Sequence, residues 1–517
     1  MSSAKEPVTR RFGNGLTVLI KEDKSHPVVS LQYWVGTGSM NEGHWQGSGL
    51  SHLLEHLVFK GTEHYSGQDL ARKVQERGGH WNAYTSVNRT VYYIDGPADS
   101  WQIFLNLLTE LVFFPTFPED ELEREKGVVR REMAMYADDP DSVAYQLLMQ
   151  TLYLKHPRRW PVLGEPAAFD CLTRQDVLDY HASRYVPNNV VLSIAGDVDA
   201  AEIFSHLELL VEDLKSRPLN RELIPHEPHQ FGSRRVRKEF AVPYSKLNLA
   251  WRLPCSGHPD TPALSALASI LGGGRSARFY EKFHDRLGLV YSIEVHSNQS
   301  ETDEGAFTIS IDVDRAQRDK VRDLVLQELR NLAQEDFTED LKRVCKQTRV
   351  SRLRRRSSAA GVASEMGADW FGARNLNLSS EWQEAIERVT TEDLHRVCST
   401  WLSSPNVTEV SLDPVGSNAA EEDGSAAGTE TALSEHVLGN GMKVVIREDH
   451  RLPLAYACLA FKAGCRAENE HDAGVTDLMS ECLLKGTATR SAGDIARFLE
   501  DIGGAINTST GNNSLSV

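Results

Sequence analysis

The chain is poor in cysteine, and its seven cysteines are scattered through the 517 residues without a Cys-x-x-Cys pair. The odd count and the irregular spacing argue against a disulfide framework and indicate reduced thiols in a cytosolic protein. The N-terminal segment lacks the apolar core and the small-residue cleavage site of a signal peptide. No apolar run approaches the roughly 18 residues that a membrane span requires. We therefore expect a cytoplasmic protein with no membrane partner.

Positive charge is also in short supply. The sequence has 73 acidic and 56 basic side chains, which gives a formal net charge of −17 at pH 7. This excess of acid argues against a nucleic-acid partner, because phosphate backbones are bound through basic patches. The hydrophobic share of 40% and the charged share of 25% are those of an ordinary globular protein. A chain of 517 residues is too long for one core, so several domains are predicted.

An internal repeat is visible in the sequence. The segment NGLTVLIKEDKSHP from Asn14 returns as NGMKVVIREDHRLP from Asn440. The segment GLSHLLEHLVFKGT from Gly49 returns as GVTDLMSECLLKGT from Gly474, so one small deletion separates the two copies. A third matching block follows in the same order, which makes chance a poor explanation. The sequence therefore predicts a duplicated architecture.

Short β-rich runs alternate with helical patterns in the first copy, which predicts an α+β fold class built from repeated α/β domains. The second copy stops at Val517, opposite Tyr92 of the first copy, and we expect the second half to be truncated there. A segment rich in Gly, Ala, Ser and Glu separates the copies and is typical of a flexible linker. The predicted divisions are a first domain at 1–228, a second α/β domain at 229–414, the linker at 415–432, and the start of a third, degenerate domain at 433–517.

The motif His-x-x-Glu-His within the first copy is a candidate metal site. His52 and His56 are four residues apart on a predicted helix, so both imidazoles leave the same face about one turn apart. Two imidazoles placed in this way can occupy adjacent corners of a tetrahedral Zn²⁺ site. Glu55 lies beside them, where a free carboxylate can take a proton from a water that the metal has acidified. This is the HExxH arrangement of metallopeptidases in reverse order.

A third ligand should come from another helix, and ELEREKGVVRREMAMYADDP offers two candidates. Glu125 and Glu132 are seven residues, or about two turns, apart and so point in the same direction. We predict that Glu132 is the ligand and that Glu125 orients a ligand histidine or the water. The alternative is that the short motif recurs by chance and that its histidines are surface or capping groups. The glycines before the motif, the FKGT after it and the paired glutamates favour the metal site.

These segments together resemble the pitrilysin/insulysin family, which includes the mitochondrial processing peptidases. The similarity is densest in VGTGSMNEGHWQGSGLSHLLEHLVFKGTEHYSG, NAYTSVNRTVYY and EREKGVVRREMAMYADDP. It implies an α/β roll repeated four times, in two halves that close around a peptide. It also implies that His52, His56 and Glu132 bind one zinc ion, that Glu55 is the general base, and that Glu125 supports the ligands. The first domain is then a catalytic zinc-peptidase domain.

Two further expectations come from the same resemblance. Asn82 and Ala83, in NAYT, match the edge strand to which substrate would add as an extra strand. For Asn82, a turn or strand-end residue is an equally good interpretation. In the second copy, Asp477, Ser480 and Glu481 replace the two histidines and the glutamate of the motif, so that copy should be non-catalytic.

The predicted function is a zinc-dependent endopeptidase that hydrolyses peptides or unfolded polypeptide segments. Mn²⁺ or Co²⁺ could use the same ligands. One alternative is a non-catalytic binding or scaffold subunit of the same fold, and another is half of a two-subunit processing peptidase. Besides the peptide substrate, the expected partner is the missing C-terminal half of the same chain. We therefore expect residues 1–517 to be poorly active alone.

Overall fold

The fold described below is that of a computed structural model of the chain. It divides into two compact units, Met1–Ser425 and Ala426–Val517. The predicted linker at 415–432 lies outside the described residues except for 415 and 416. The structure describes residues 6–219, 222–299, 304–402, 405–416, 434–446, 457–464, 466, 468–469, 472–501, 506, 508–511 and 514–517.

The first unit begins with a mixed six-stranded sheet of order β1-β2-β6-β3-β5-β4. Strands β2 and β6 are parallel, whereas the other neighbouring pairs are antiparallel. This order leaves β4 at an edge. The strands are β1 (Val8–Arg11), β2 (Thr17–Glu22), β3 (Val28–Val35), β4 (His80–Thr85), β5 (Thr90–Pro97) and β6 (Val190–Gly196).

Eight α-helices accompany this sheet in the described residues. The HxxEH motif lies on the first of them, and the predicted third ligand lies on the fourth. The helices are α1 (Leu50–Val58), α2 (Gly67–Gln75), α3 (Trp101–Phe113), α4 (Glu119–Asp138), α5 (Pro140–Leu152), α6 (Pro166–Asp170), α7 (Arg174–Arg184) and α8 (Ala200–Leu210).

A second sheet of five strands follows in the same unit, with the order β7-β11-β8-β10-β9. Its strands are β7 (Arg234–Phe240), β8 (Ser245–Leu253), β9 (Val290–Asn298), β10 (Gly305–Val313) and β11 (Thr408–Pro414). Its helices are α9 (Thr261–Gly272), α10 (Arg318–Asn331), α11 (Thr338–Arg355), α12 (Ala359–Ala373), α13 (Leu378–Glu387) and α14 (Thr391–Val397).

The two sheets have the same topology apart from β1. In each sheet the first and last strands in the chain, β2 with β6 and β7 with β11, pair in parallel. The remaining strands then follow in the same antiparallel order. Although the two halves of this unit share no obvious sequence motif, they share one fold. The predicted α+β class with repeated α/β domains is therefore confirmed.

Both faces of the first sheet are covered, which explains why β3 is buried along nearly its whole length. One face packs on the helices of its own domain, and the other packs on α12 of the second sheet's domain. Gln32 Nε2 donates to the Ala360 carbonyl (3.1 Å), and Ser193 Oγ donates to the Ala363 carbonyl (2.7 Å). A Cβ at Gly367 would lie 2.3 Å from the Trp34 ring, so this close approach requires glycine.

The second unit repeats the start of the first. Its helix α15 (Val475–Leu483) begins directly after Gly474, just as α1 begins directly after Gly49, so the two helices occupy matching places in the sequence repeat. Its remaining described elements are β12 (Ser434–Val437), β13 (Lys443–Ile446), β14 (Ala460–Phe461), α16 (Ala492–Asp501), β15 (Ser509–Thr510) and β16 (Leu515–Ser516). No helix within the described part of the chain is both long and apolar enough to cross a bilayer.

Candidate metal centre

Helix α1 presents the motif because its apolar stripe is fixed in the core. The helix begins after Gly49, whose φ of +73° is in the left-handed region that favours glycine. A Cβ there would also lie 1.9 Å from the Leu163 carbonyl oxygen. The buried apolar residues of the helix are Leu50, Leu53, Leu54, Leu57 and Val58.

Three side chains from two helices converge on one point. Glu132 Oε2 on α4 lies 3.7 Å from His52 Nε2 and 3.8 Å from His56 Nε2 on α1. One ligand-type atom from each of the three residues lies within 4.8 Å of the others. Ligands about 2.1 Å from a tetrahedral Zn²⁺ are roughly 3.4 Å apart, so this donor set fits the ion. Within the described residues, no other group of three or more His, Cys, Asp or Glu side chains brings its ligand atoms this close together.

Glu125 holds one of the two imidazoles from behind. Its Oε2 lies 3.1 Å from His56 Nδ1, and its Oε1 forms an ion pair with Lys60 Nζ at 2.7 Å. Hydrogen bonding at Nδ1 leaves Nε2 facing Glu132. Burial opposes the charge on His56, but the bond to Glu125 and the nearby Glu55 raise its pKa. For Glu125, burial is outweighed by the bonds to His56 and Lys60, and its pKa is lowered.

The other imidazole is held in its neutral form. Burial of His52, followed by the proximity of His56, lowers its pKa to about 4. A neutral imidazole is the form that coordinates a metal ion. Its Nδ1 is buried and has no hydrogen-bonding partner in the part of the chain that the structure describes. The ring is therefore fixed by packing.

Glu55 is held by a residue that the sequence did not single out. Thr85 Oγ1, at the end of β4, donates to Glu55 Oε2 over 2.5 Å. Burial raises the pKa of Glu55, while the Thr85 bond and the charge of His56 act in the opposite direction. A signal for Thr85 was present, because Ala83 and Thr85 are two residues apart in NAYT and share one face of the strand.

Of the two predicted substrate residues, the structure places one at the site. A cavity of about 770 Å³ is lined by His52, Glu55 and Glu132, and Ala83 on the edge strand lines it as well. Asn82 is exposed on the same strand and is not among the residues that line this cavity. Its Oδ1 accepts the outward N–H of Ala83 at 2.8 Å. Other lining residues are Met133, Tyr136, Val143, Tyr145, Trp160 and Lys238.

The second copy keeps the helix and loses the donor set. Asp477 and Ser480 occupy on α15 the places that His52 and Glu55 occupy on α1. Thr510 Oγ1 donates to Asp477 Oδ1 at 2.7 Å, so a hydrogen bond within the protein engages this carboxylate. The imidazole pair of the first copy has no counterpart here.

The fold and the site define a protein of repeated α/β domains in which the first domain brings two histidines and a glutamate together, and comparison with known proteins agrees on the fold. A family model described as Insulinase (Peptidase family M16) matches residues 17–165 and again 443–516, which are the two copies of the repeat. A model described as the Peptidase M16 inactive domain matches residues 172–347. The chain belongs to the insulinase family, peptidase family M16.

Relatives and solved structures are consistent with this membership. The chain is 27% identical over 76% of its length to a Rickettsia felis protein named as an uncharacterized zinc protease, covering 94% of that protein. It is 30% identical over 56% of its length to a Mycobacterium tuberculosis protein that is likewise named as an uncharacterized zinc protease, covering 67% of that protein. The structure of a protease from Helicobacter pylori covers 79% of this chain, with 99% of its own length, at 26% identity and a TM-score of 0.73.

Proposed function

We propose that this protein is a zinc-dependent endopeptidase that hydrolyses peptides or unfolded polypeptide segments. The observation that carries the proposal is the convergence of His52, His56 and Glu132 on one point. His52, Glu132 and Glu55 also line one cavity. Membership of a peptidase family, and relatives named zinc proteases, support the same reaction class and metal.

His52 Nε2, His56 Nε2 and a Glu132 carboxylate oxygen would hold the metal ion. When bound, Zn²⁺ would acidify the attacking water and stabilise negative charge on the scissile carbonyl oxygen. The lowered pKa of His52 leaves its Nε2 without a competing proton. For His56, the bond from Nδ1 to Glu125 selects the tautomer in which Nε2 carries the free lone pair.

Glu55 would act as the general base. Thr85 holds its Oε2, so Oε1 remains to accept a proton from the attacking water. The same oxygen can then deliver that proton to the departing amine, which makes one carboxylate the acid and the base of the cycle. Because Glu55 lies one residue before His56, its distance from the ligands is set by helix geometry.

Strand β4 and the cavity would bind the substrate. β4 is an edge strand, and an extended peptide can add to such an edge through backbone hydrogen bonds. Pairing of this kind needs an extended chain and makes little demand on sequence, which favours peptides and unfolded segments over folded proteins. Ala83 would contact such a peptide through its backbone, and the Asn82 side chain would shield or release the outward N–H of Ala83.

The domain roles follow from the same proposal. Residues 1–228 would form the catalytic domain and 229–414 a non-catalytic domain of the same fold. Residues 415–432 would form the linker, and 433–517 would begin a third domain without a metal site. Lys238 of the second domain also lines the cavity, so that domain would help to shape the substrate site.

The test uses Glu55→Gln, with His52→Gln as a matched variant. Zinc is measured per chain by elemental analysis, and hydrolysis is followed with a fluorogenic unfolded polypeptide over long incubations. Glu55→Gln should bind zinc as the wild type does and lose hydrolysis, whereas His52→Gln should lose both. Hydrolysis that survives Glu55→Gln, or a wild type that binds zinc but never hydrolyses peptides, would overturn the proposal.

A further inference from the structure

A buried carboxyl group lies behind the start of the metal-site helix. Glu42 is 1% exposed, and its Oε1 accepts the backbone N–H of Ser51 at 2.8 Å. Helix α1 has no side-chain cap of its own, because its N-cap residue is Gly49. A glutamate from the segment before the helix therefore supplies the acceptor that the first turn of a helix requires.

The side chain of Ser51 is fixed as well. Ser51 Oγ lies 2.7 Å from Tyr180 Oη on α7, and Tyr180 Oη lies 2.6 Å from Thr37 Oγ1. All these groups are buried. The residue immediately before His52 is thus held through its backbone by Glu42 and through its side chain by α7. Helix α1 therefore has its rotation and its axial position set at this end.

The second copy contains the same device. Glu468, which precedes α15 as Glu42 precedes α1, accepts the N–H of Gly474 through Oε2 (2.7 Å) and the N–H of Thr476 through Oε1 (2.8 Å). Thr476 is the counterpart of Ser51, because each is the second residue after the glycine that begins its helix. The carboxyl cap is therefore also present on a helix in which the histidines and the glutamate of the HxxEH motif are replaced. It acts on the helix backbone and not on the cluster directly.

We propose that Glu42 is a positioning residue of the metal site, which places His52 and His56 opposite Glu132 by fixing the first turn of α1. This rests on the proposed function in so far as these three residues are the ligands. One residue of helix advances about 1.5 Å and turns the side chains by about 100°. Coordination tolerates errors of only about 0.2 Å in distance, so a small slip at Ser51 would separate the donors.

The reach of the side chain matters more than its charge. Burial raises the pKa of Glu42 to about 8, against the effect of the N–H groups of Ser51, Gly49 and Gly47. A glutamine has the same length and presents a carbonyl oxygen to Ser51. An aspartate keeps the carboxyl group but is shorter by one methylene. Glutamine at position 42 should therefore still accept the Ser51 N–H and keep the helix in place, whereas aspartate should be too short to do so.

The experiment compares Glu42→Gln, Glu42→Asp and the control Glu468→Asp in the whole protein. Zinc affinity is measured by competition with a chelator, and the Co²⁺-loaded protein is examined by visible absorption, which reports ligand geometry. Glu42→Asp should weaken zinc binding about tenfold or more and change the Co²⁺ spectrum. Glu42→Gln and Glu468→Asp should match the wild type in both measurements.

The outcomes separate this proposal from the proposed function. If the wild type binds no zinc, both are overturned. If the wild type binds zinc and Glu42→Asp has the same affinity and spectrum, only the positioning role fails. An equal loss in Glu42→Gln and Glu42→Asp would also overturn it, because charge would then matter more than reach. A lower melting temperature for Glu42→Asp with an unchanged spectrum would show a purely structural cap and would overturn it as well.

Discussion

Glu125 Oε2 lies 3.1 Å from Nδ1 of His56, and Glu125 stands two helical turns before Glu132 on α4. One helix therefore supplies both the carboxylate that faces the two imidazoles and the carboxylate that holds one of those imidazoles in place. Any displacement of α4 relative to α1 changes both contacts together. The candidate metal centre is for this reason a property of the packing of two helices and not of the HxxEH motif alone.

Removing the charge of Glu125 should weaken metal binding without abolishing it. Glu125→Gln still reaches His56 Nδ1 but loses the ion pair with Lys60. Loss of such a supporting group typically lowers metal affinity by about tenfold to a hundredfold. Chelator competition measures this loss, and saturated protein should still hold one zinc. Glu123→Gln, an exposed glutamate on the same helix, is the control and should behave as the wild type. Equal affinities for all three proteins would contradict the role.

The Thr85 hydroxyl should matter for turnover and not for zinc. Thr85→Val removes the donor to Glu55 at nearly constant volume, and a bond to a charged group contributes about 1.5–3 kcal/mol. We expect kcat to fall by roughly tenfold to a hundredfold with unchanged zinc content. Thr85→Ser keeps the hydroxyl and should keep most of the rate. A valine variant as active as the serine variant would contradict this prediction.

The parts of the site that the sequence predicts are those that obey helix periodicity. Glu55 and His56 lie three and four residues after His52 and therefore share one helix face with it, and the seven-residue spacing of Glu125 and Glu132 follows the same periodicity. Thr85 lies 30 residues from Glu55 in the sequence. Such a contact depends on the position of β4 relative to α1, which no local pattern contains.

The same distinction holds for the fold. The alternation of strands and helices identified the α+β class, and the duplicated motifs identified the repeat. The shared topology of the two sheets in the first unit was implied only by the family resemblance, because strand order depends on contacts between distant segments. The Ser51–Tyr180 bond, which joins residues 129 apart in the sequence, has the same origin.

The protein should bind one zinc ion per chain and not two. The first copy offers two imidazoles and a carboxylate, whereas Asp477 in the second copy accepts a hydrogen bond from Thr510. Asp477→Asn should therefore leave the zinc content unchanged, and His56→Gln should reduce it to nearly zero. Elemental analysis after dialysis against a metal-free buffer distinguishes the two variants. A second equivalent of tightly bound zinc that Asp477→Asn removes would show that the second copy is also a site.

The last prediction concerns His181, whose environment makes the stability of the first domain depend on pH. His181 Nε2 lies 2.9 Å from the Val112 carbonyl oxygen, and the ring stacks on Tyr185. Burial, with a smaller effect of Arg217, lowers its pKa to about 4, although the Val112 bond opposes the shift. In the unfolded chain the pKa is about 6.5. The unfolded state therefore binds a proton between these two values while the folded state does not.

The sign follows from this difference in proton binding. The free energy of unfolding should decrease as the pH falls from about 6.5 to about 4, by up to roughly 3 kcal/mol from this group. His181→Gln keeps an N–H donor for Val112 but cannot be protonated, so its stability should depend less on pH in this window. Denaturant titrations of the metal-free wild type and of His181→Gln at several pH values give the free energy of unfolding of each protein. His52 is present in both, so its own contribution to the pH dependence cancels in the difference between them. His296→Gln, at an exposed histidine, should keep the wild-type slope. If His181→Gln also kept that slope, His181 would have to be protonated equally in the folded and unfolded states.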